Sequence, residues 1–163
     1  MAKASVDDKT ISDFGDQWTR YPDASGYYAS TELLDDIFGP LLSISDLEGA
    51  RAAEIGSGQG RIVEMFLQAG ARHVTALEPS NAIHALQKNT AHWGERVTTV
   101  QETGENLPRG DYDFVFSIGV IHHIVEPKPT IKAALDSLKP GGKLLVWLYG
   151  REGNTLYLML TLP

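Results

Sequence analysis

The sequence predicts an α/β fold in which helices wrap a mostly parallel sheet, and three observations carry that reading. From Arg51 onward, short apolar or β-branched runs alternate with helically spaced apolar residues, the pattern of a parallel sheet covered on its faces. A glycine-rich stretch, AEIGSGQGR at residues 53–61, joins the first such run to the first such helix. The next run ends on an acid, Glu78, which stands 22 positions after Gly56.

The elements follow in order. Residues 52–55 form a first strand, and Ile62, Val63, Phe66 and Leu67 share one face of the helix after it, with Gly70 at its C-terminal cap. Residues 73–77 form a second strand, after which Ser80 caps a helix carrying Ile83, Ala85, Leu86 and Asn89. Residues 97–101 are a third strand and residues 112–117 (YDFVFS) a fourth, apolar enough to be buried on both faces. Residues 130–138 are helical, stopped by Pro140-Gly141-Gly142, and residues 143–149 (KLLVWLY) are a fifth strand.

The first 45 residues differ from the 46–163 core. Phe14, Trp18, Tyr21, Tyr27 and Tyr28 crowd a stretch that also holds Pro22 and Gly26, which reads as a loosely ordered aromatic arm. TELLDDIFGPLL then sets Leu33, Leu34, Ile37, Phe38, Leu41 and Leu42 at the spacing of one helix docked on the sheet. The chain ends on TLYLMLTLP, an apolar run expected to be buried or shared, as in a domain cut short. That tail, or the edge of the fifth strand, offers a route to a homodimer.

Composition excludes several classes. The 163 residues suffice for one core, and no run approaches the ~20 apolar residues of a membrane span. There is no cysteine, so disulfides and thiolate metal sites are out. The start lacks the apolar core of a secretory signal, which makes a cytoplasmic location the default. Fourteen basic against 21 acidic residues give a formal charge of −7, with the basic ones scattered. Nucleic acid and anionic membranes are therefore poor partners, and a small ligand suits the balance better.

At the tip of the first strand of such a sheet, glycines let backbone approach a ligand and present N–H groups near a helix N-terminus. A dinucleotide loop, G-x-G-x-x-G, would need glycine at position 61, where Arg61 stands, and no G-K-[ST] phosphate loop occurs. The loop thus suits a nucleoside held without a pyrophosphate. Glu78, one strand over, suits the hydroxyls of its ribose.

AEIGSGQGR, LEPS, YDFVFSIGVIHHI and LKPGGKLLVWLYG, in this order and spacing, resemble the motifs of class I S-adenosylmethionine-dependent methyltransferases, over roughly residues 50–150. Through SIGVIHHI the likeness is strongest to the small-molecule enzymes of ubiquinone and menaquinone biosynthesis. The resemblance implies a Rossmann-like three-layer sandwich with strand order 3-2-1-4-5, lacking the family's terminal β-hairpin. It implies S-adenosylmethionine as cofactor, S-adenosylhomocysteine as product, no metal, and a small-molecule acceptor methylated by in-line transfer. Glu54 would orient the loop or the cofactor's amino group, and Gly56, Ser57, Gly58 and Gly60 would line its methionine and ribose. Glu78 would hold the ribose hydroxyls, with Pro79 and Ser80 against the adenine. Thr103 replaces the family's adenine-binding aspartate, leaving backbone groups of Thr103, Gly104 and Glu105 for that task. Ser117, Ile118 and Gly119 would pass beneath the methyl group.

His122 and His123 can serve as a base near neutral pH, but packing beside the cofactor is the reading preferred for both, so no catalytic residue is named. Phe14, Trp18 and Tyr21 are lid candidates whose rings suit a sulfonium cation, Trp18 being counted with the cofactor residues, and Arg20 suits a carboxylate. Two rival readings stay open: a module that binds the cofactor without chemistry, and a nicotinamide-dependent oxidoreductase.

Overall fold

The computed structural model describes residues 6–21 and 26–150, so the TLYLMLTLP segment lies outside the described residues. Five strands form one parallel sheet: β1 (Arg51–Ile55), β2 (His73–Leu77), β3 (Val97–Val100), β4 (Tyr112–Ile118) and β5 (Leu138–Trp147). Their order is β3-β2-β1-β4-β5, as the resemblance implies. Starting in the middle and reversing direction after β3 leaves the β1 and β4 tips side by side, the place where such sheets hold ligands.

Alternation of side chains divides the core between the two faces of the sheet. Ala52, Val74, Ala76, Phe114 and Phe116 pack with Leu34 and Phe38 of α2 (Thr31–Phe38), with α3 (Arg61–Gln68), and with Ile83 and Leu86 of α4 (Ile83–Thr90). Ala53, Ile55, Leu77 and Val115 point the other way, toward Leu107, Tyr112 and Ala134 of α5 (Pro127–Asp136). On the first face the Phe116 ring lies 4.4 Å from Phe66, 5.6 Å from Phe38 and 5.8 Å from Phe114. This aromatic stack is what fastens α2 and α3 to the sheet.

Two expectations are corrected. The segment expected to be a loose arm is the helix α1 (Val6–Arg20), followed by a short turn at Gly26–Ala29. Pro22 and Gly26 lie beyond the helix and interrupt nothing in it. At the other end, α5 stops at Asp136 and Pro140-Gly141-Gly142 belongs to β5, not to a helix stop. Pairing with β4 jumps from Tyr112↔Leu138 to Phe114↔Lys143, which leaves residues 139–142 as an irregularity opposite Asp113. Pro140 has no N–H to give the ladder, Gly141 takes φ 81°, and Lys139 pairs with Asp113 across the gap. No helix among the described residues is long and apolar enough to cross a membrane.

Because Phe116 touches both α2 and α3 through their rings, Phe116→Ala should cost about 3–5 kcal/mol. In urea the midpoint should fall with little change in slope, and an unfolding free energy within ~0.5 kcal/mol of the parent chain's would contradict this packing.

Candidate functional site

The loop from Gly56 to Gly60 joins β1 to α3 at the C-terminal edge of the sheet. Gly56, Gly58 and Gly60 have φ of 79°, 53° and 94°, a region side chains avoid. A Cβ on Gly56 would lie 2.5 Å from Val120, one on Gly60 2.7 Å from Leu86, and one on Gly58 3.2 Å from the Trp18 indole. The missing side chains let three elements close on the loop: the turn after β4, helix α4, and α1.

The N–H groups of Gly56, Ser57, Gly58 and Gly60 are bonded within the protein, whereas the sequence leads to the expectation that the loop presents its N–H groups to a ligand. Gly56 and Ser57 donate to the Leu77 carbonyl at 2.9 and 2.8 Å, and Gly60 donates to Ser57 O at 2.8 Å. Gly58 donates to Glu78 Oε2 at 2.8 Å. With β1 and β2 adjacent, the carbonyl and carboxylate ending β2 reach these donors first. Such a loop is a poor cradle for a pyrophosphate, which needs free N–H groups.

Glu78 is buried. Its Oε1 accepts from the Ser80 N–H at 2.9 Å and from the Ser80 hydroxyl at 2.5 Å. Of a carboxylate's roughly four acceptor positions, three are filled among the described residues and one on Oε2 stays open. The Ser80 hydroxyl also accepts from the Ala82 N–H at 3.1 Å, so one serine links the acid to the approach of α4.

Glu54, on β1, is 2% exposed, and its Oε2 has no hydrogen-bond partner among the described residues. Burial pushes its carboxyl up to about 8, while the Ser57 hydroxyl and the Arg61 charge act against that rise. Ser117, at the tip of β4, is fully buried with its hydroxyl likewise unpartnered. Ile118 is half-buried, and the backbone turns at Gly119 with φ 74°.

The turn Gly104–Asn106 joins the same rim. A Cβ on Gly104 would stand 2.5 Å from Thr130 of α5 and 2.7 Å from Ile55 at the end of β1. Thr103 precedes this turn half-buried and Glu105 is exposed. Pro79 is half-buried between Glu78 and Ser80.

Helix α1 lies across these tips. Gly15 is buried against Ser80, where a Cβ would come within 2.8 Å of the Ser80 Cβ. Trp18 covers Gly58, and the Phe14 ring is 4.8 Å from His123. Phe14, Gly15 and Trp18 share one helical face. Tyr21, at 64% exposed, does not join them, and Arg20 is exposed too. Arg61 instead anchors the turn before α2, donating to the Tyr28 carbonyl at 3.0 Å and lying 4.1 Å over its ring.

The structure therefore gathers Glu54, the glycines, Ser57, Glu78, Ser80, Ser117, Gly119, Gly104 and Trp18 along one rim. Reading the sequence missed Gly15 and Val120. A glycine inside a helix, away from both of its ends, is the signal that would have found Gly15 had the stretch been read as helical; nothing local marked Val120. Among the described residues no group of three His, Asp or Glu side chains is gathered as for a metal ion.

Residues 53–146 match the model of a family described as a methyltransferase domain. A ubiquinone biosynthesis O-methyltransferase of Marinobacter nauticus is 30% identical, with 93% of this chain and 66% of that protein aligned. A tRNA U34 carboxymethyltransferase of Idiomarina loihiensis is 27% identical over 88% of this chain and 47% of that protein. The chain thus spans from about half to just under two thirds of these curated relatives. Among solved structures, phosphoethanolamine N-methyltransferase 1 of Haemonchus contortus, in complex with phosphoethanolamine and S-adenosylhomocysteine, superposes with a TM-score of 0.66. It is 19% identical over 94% of this chain and 34% of that one, a likeness of fold.

The Glu54 carboxyl makes stability depend on pH. Its folded-state value lies above its unfolded one, so the folded chain holds a proton the unfolded chain releases, and stability falls as pH rises from about 4.5 to about 8. Glu54→Gln should melt close to the parent chain at pH 5 and above it at pH 8.5. An identical difference at both pH values would contradict the buried-acid account.

Proposed function

The chain belongs to the methyltransferase-domain family, and from that premise we propose that it binds S-adenosylmethionine and passes its methyl group to a small molecule. The observation that carries this reading is the Glu78 carboxylate, fixed by Gly58 and Ser80 with one acceptor position left on Oε2. A ribose hydroxyl suits that position. Gly56, Ser57, Gly58 and Gly60 line the methionine and ribose, and Pro79 and Ser80 stand against the adenine. Backbone groups of Thr103, Gly104 and Glu105 take its amino group, and Ser117, Ile118 and Gly119 run beneath the methyl. The unpartnered Glu54 Oε2 suits the cofactor's ammonium group, which would satisfy a buried acceptor otherwise costly to leave unpaired. Trp18, over Gly58, offers a ring to the sulfonium.

S-adenosylmethionine supplies a methyl group already activated on positive sulfur. The protein's share is to set the acceptor in line with it and to keep water away beneath α1. A small acceptor is supported by the net charge of −7 and the scattered basic residues, which disfavour a polyanion such as tRNA. The engaged N–H groups of the glycine loop speak against a nicotinamide dinucleotide. The 1–45 segment, through α1, acts as the lid of a 46–163 cofactor core.

Titration calorimetry tests the reading. S-adenosylhomocysteine should bind and NAD should give no heat. Glu78→Ala should weaken the first by tenfold or more, the loss of a hydrogen bond to a charged group. S-adenosylmethionine should release protons on binding at pH 7, seen as a heat that varies with the buffer, because an ammonium beside Glu54 favours its ionised form. Equal affinity for Glu78→Ala, or no heat with either sulfur ligand, would overturn the assignment.

A further inference from the structure

The formal charge of −7 is not spread along the chain. Residues 1–50 hold ten acidic and three basic residues, whereas residues 51–163 hold eleven of each, so the whole imbalance belongs to the first segment. Within it, α1 (VDDKTISDFGDQWTR) has four acids against two bases, and α2 (TELLDDIF) has three acids and no base. Asp8, Asp13, Asp16, Glu32, Asp35 and Asp36 are all exposed. A helix that buries one face needs a polar outer face, but nothing in its packing requires that face to carry a single sign.

Local pairing removes little of this charge. Lys9 pairs with Asp13 one turn away, and Asp36 accepts from the Tyr27 hydroxyl, which is neutral. Among the described residues, Asp16, Glu32 and Asp35 take part in no salt bridge.

Both helices are held at the rim. Gly15, next to Asp16, rests on Ser80, and Trp18 covers Gly58. Arg61, the first residue of α3, donates to the Tyr28 carbonyl, so α2 begins beside the glycine loop. Beneath the lid Glu78 and Glu54 are buried, and Glu54 Oε2 has no hydrogen-bond partner among the described residues. Acids on the lid and acids on the rim repel one another. A cation relieves that arrangement and an anion worsens it, and the unpartnered Glu54 oxygen marks where positive charge is wanted.

We propose that the acidic lid is an electrostatic gate, which draws the cationic methyl donor to the rim and exerts no such pull on the spent cofactor. The proposal rests on the S-adenosylmethionine reading above. At neutral pH the donor's sulfonium and ammonium outweigh its single carboxylate, leaving one net positive charge. The thioether product keeps only the ammonium and the carboxylate, which cancel. Loss of the methyl group therefore abolishes the attraction, and the lid favours replacement of spent cofactor by fresh. Such a field acts on the rate of encounter, before any contact forms, and salt screens it.

Stopped-flow association to the full 163-residue chain tests this, with the fluorescence of Trp18 over Gly58 reporting arrival. From about 20 mM to about 500 mM salt the association rate of S-adenosylmethionine should fall about threefold or more, and that of S-adenosylhomocysteine by less than about 1.5-fold. Neutralising the lid with Asp16→Asn, Glu32→Gln and Asp35→Asn together should remove most of the donor's salt dependence. Glu95, Asp111 and Asp136 are exposed and precede β3, β4 and β5, at the opposite edge of the sheet. Glu95→Gln, Asp111→Asn and Asp136→Asn together change the net charge equally and should leave the dependence in place. Both triple variants should keep S-adenosylhomocysteine affinity within about twofold, as proof of folding. The same salt dependence for donor and product in the parent chain, or an equal loss in both triple variants, would overturn the gate and leave the cofactor reading standing. Failure of the parent chain to bind S-adenosylhomocysteine would remove that reading, and the gate with it.

Discussion

A single hydrogen bond sets the form of the rim: the Gly58 N–H given to Glu78 Oε2 across the β1 and β2 tips. It does two things at once. It pins the middle of a loop whose three glycines all have positive φ, and it aims a buried carboxylate at the space above that loop. The Ser80 bonds to the other oxygen fix the acid's second degree of freedom. A carboxylate held from both sides is preorganised, so little rotamer entropy remains to be lost when a ligand takes its last acceptor position.

The same close approach accounts for the lid. Helix α1 can lie across the strand tips because Gly15 puts backbone against Ser80, the serine that bonds Glu78. Trp18 and Phe14, on the same face, then reach Gly58 and His123. Carboxylate, loop and lid thus meet at one serine–glycine contact, and a side chain added at position 15 would strain all three.

Much of this was legible in the sequence because it is local. The runs at residues 73–77 (HVTAL) and 112–117 (YDFVFS) are mostly apolar, β-branched or aromatic, and they became β2 (His73–Leu77) and β4 (Tyr112–Ile118). The glycine spacing and Glu78 marked the rim for the same reason. What escaped was set by contacts distant in sequence. Aromatic residues near Pro22 read as an irregular arm, yet the helix ends before that proline and its rings find partners more than 30 residues away. Pro140-Gly141-Gly142 read as a helix stop, whereas Lys139 pairing with Asp113 holds it as an irregularity within β5. The capture of the loop's N–H groups by Leu77 and Glu78 could not be read from spacing either.

The most direct measurement is amide hydrogen exchange at Gly58 in the ligand-free chain and in Glu78→Gln. If the carboxylate holds the loop, the Gly58 amide is protected in the parent and exchanges at least tenfold faster in the variant, while the Gly56 and Ser57 amides, bonded to Leu77, keep their protection. A Gly58 amide that exchanges at the rate of a free loop in the parent chain would contradict the account at its root.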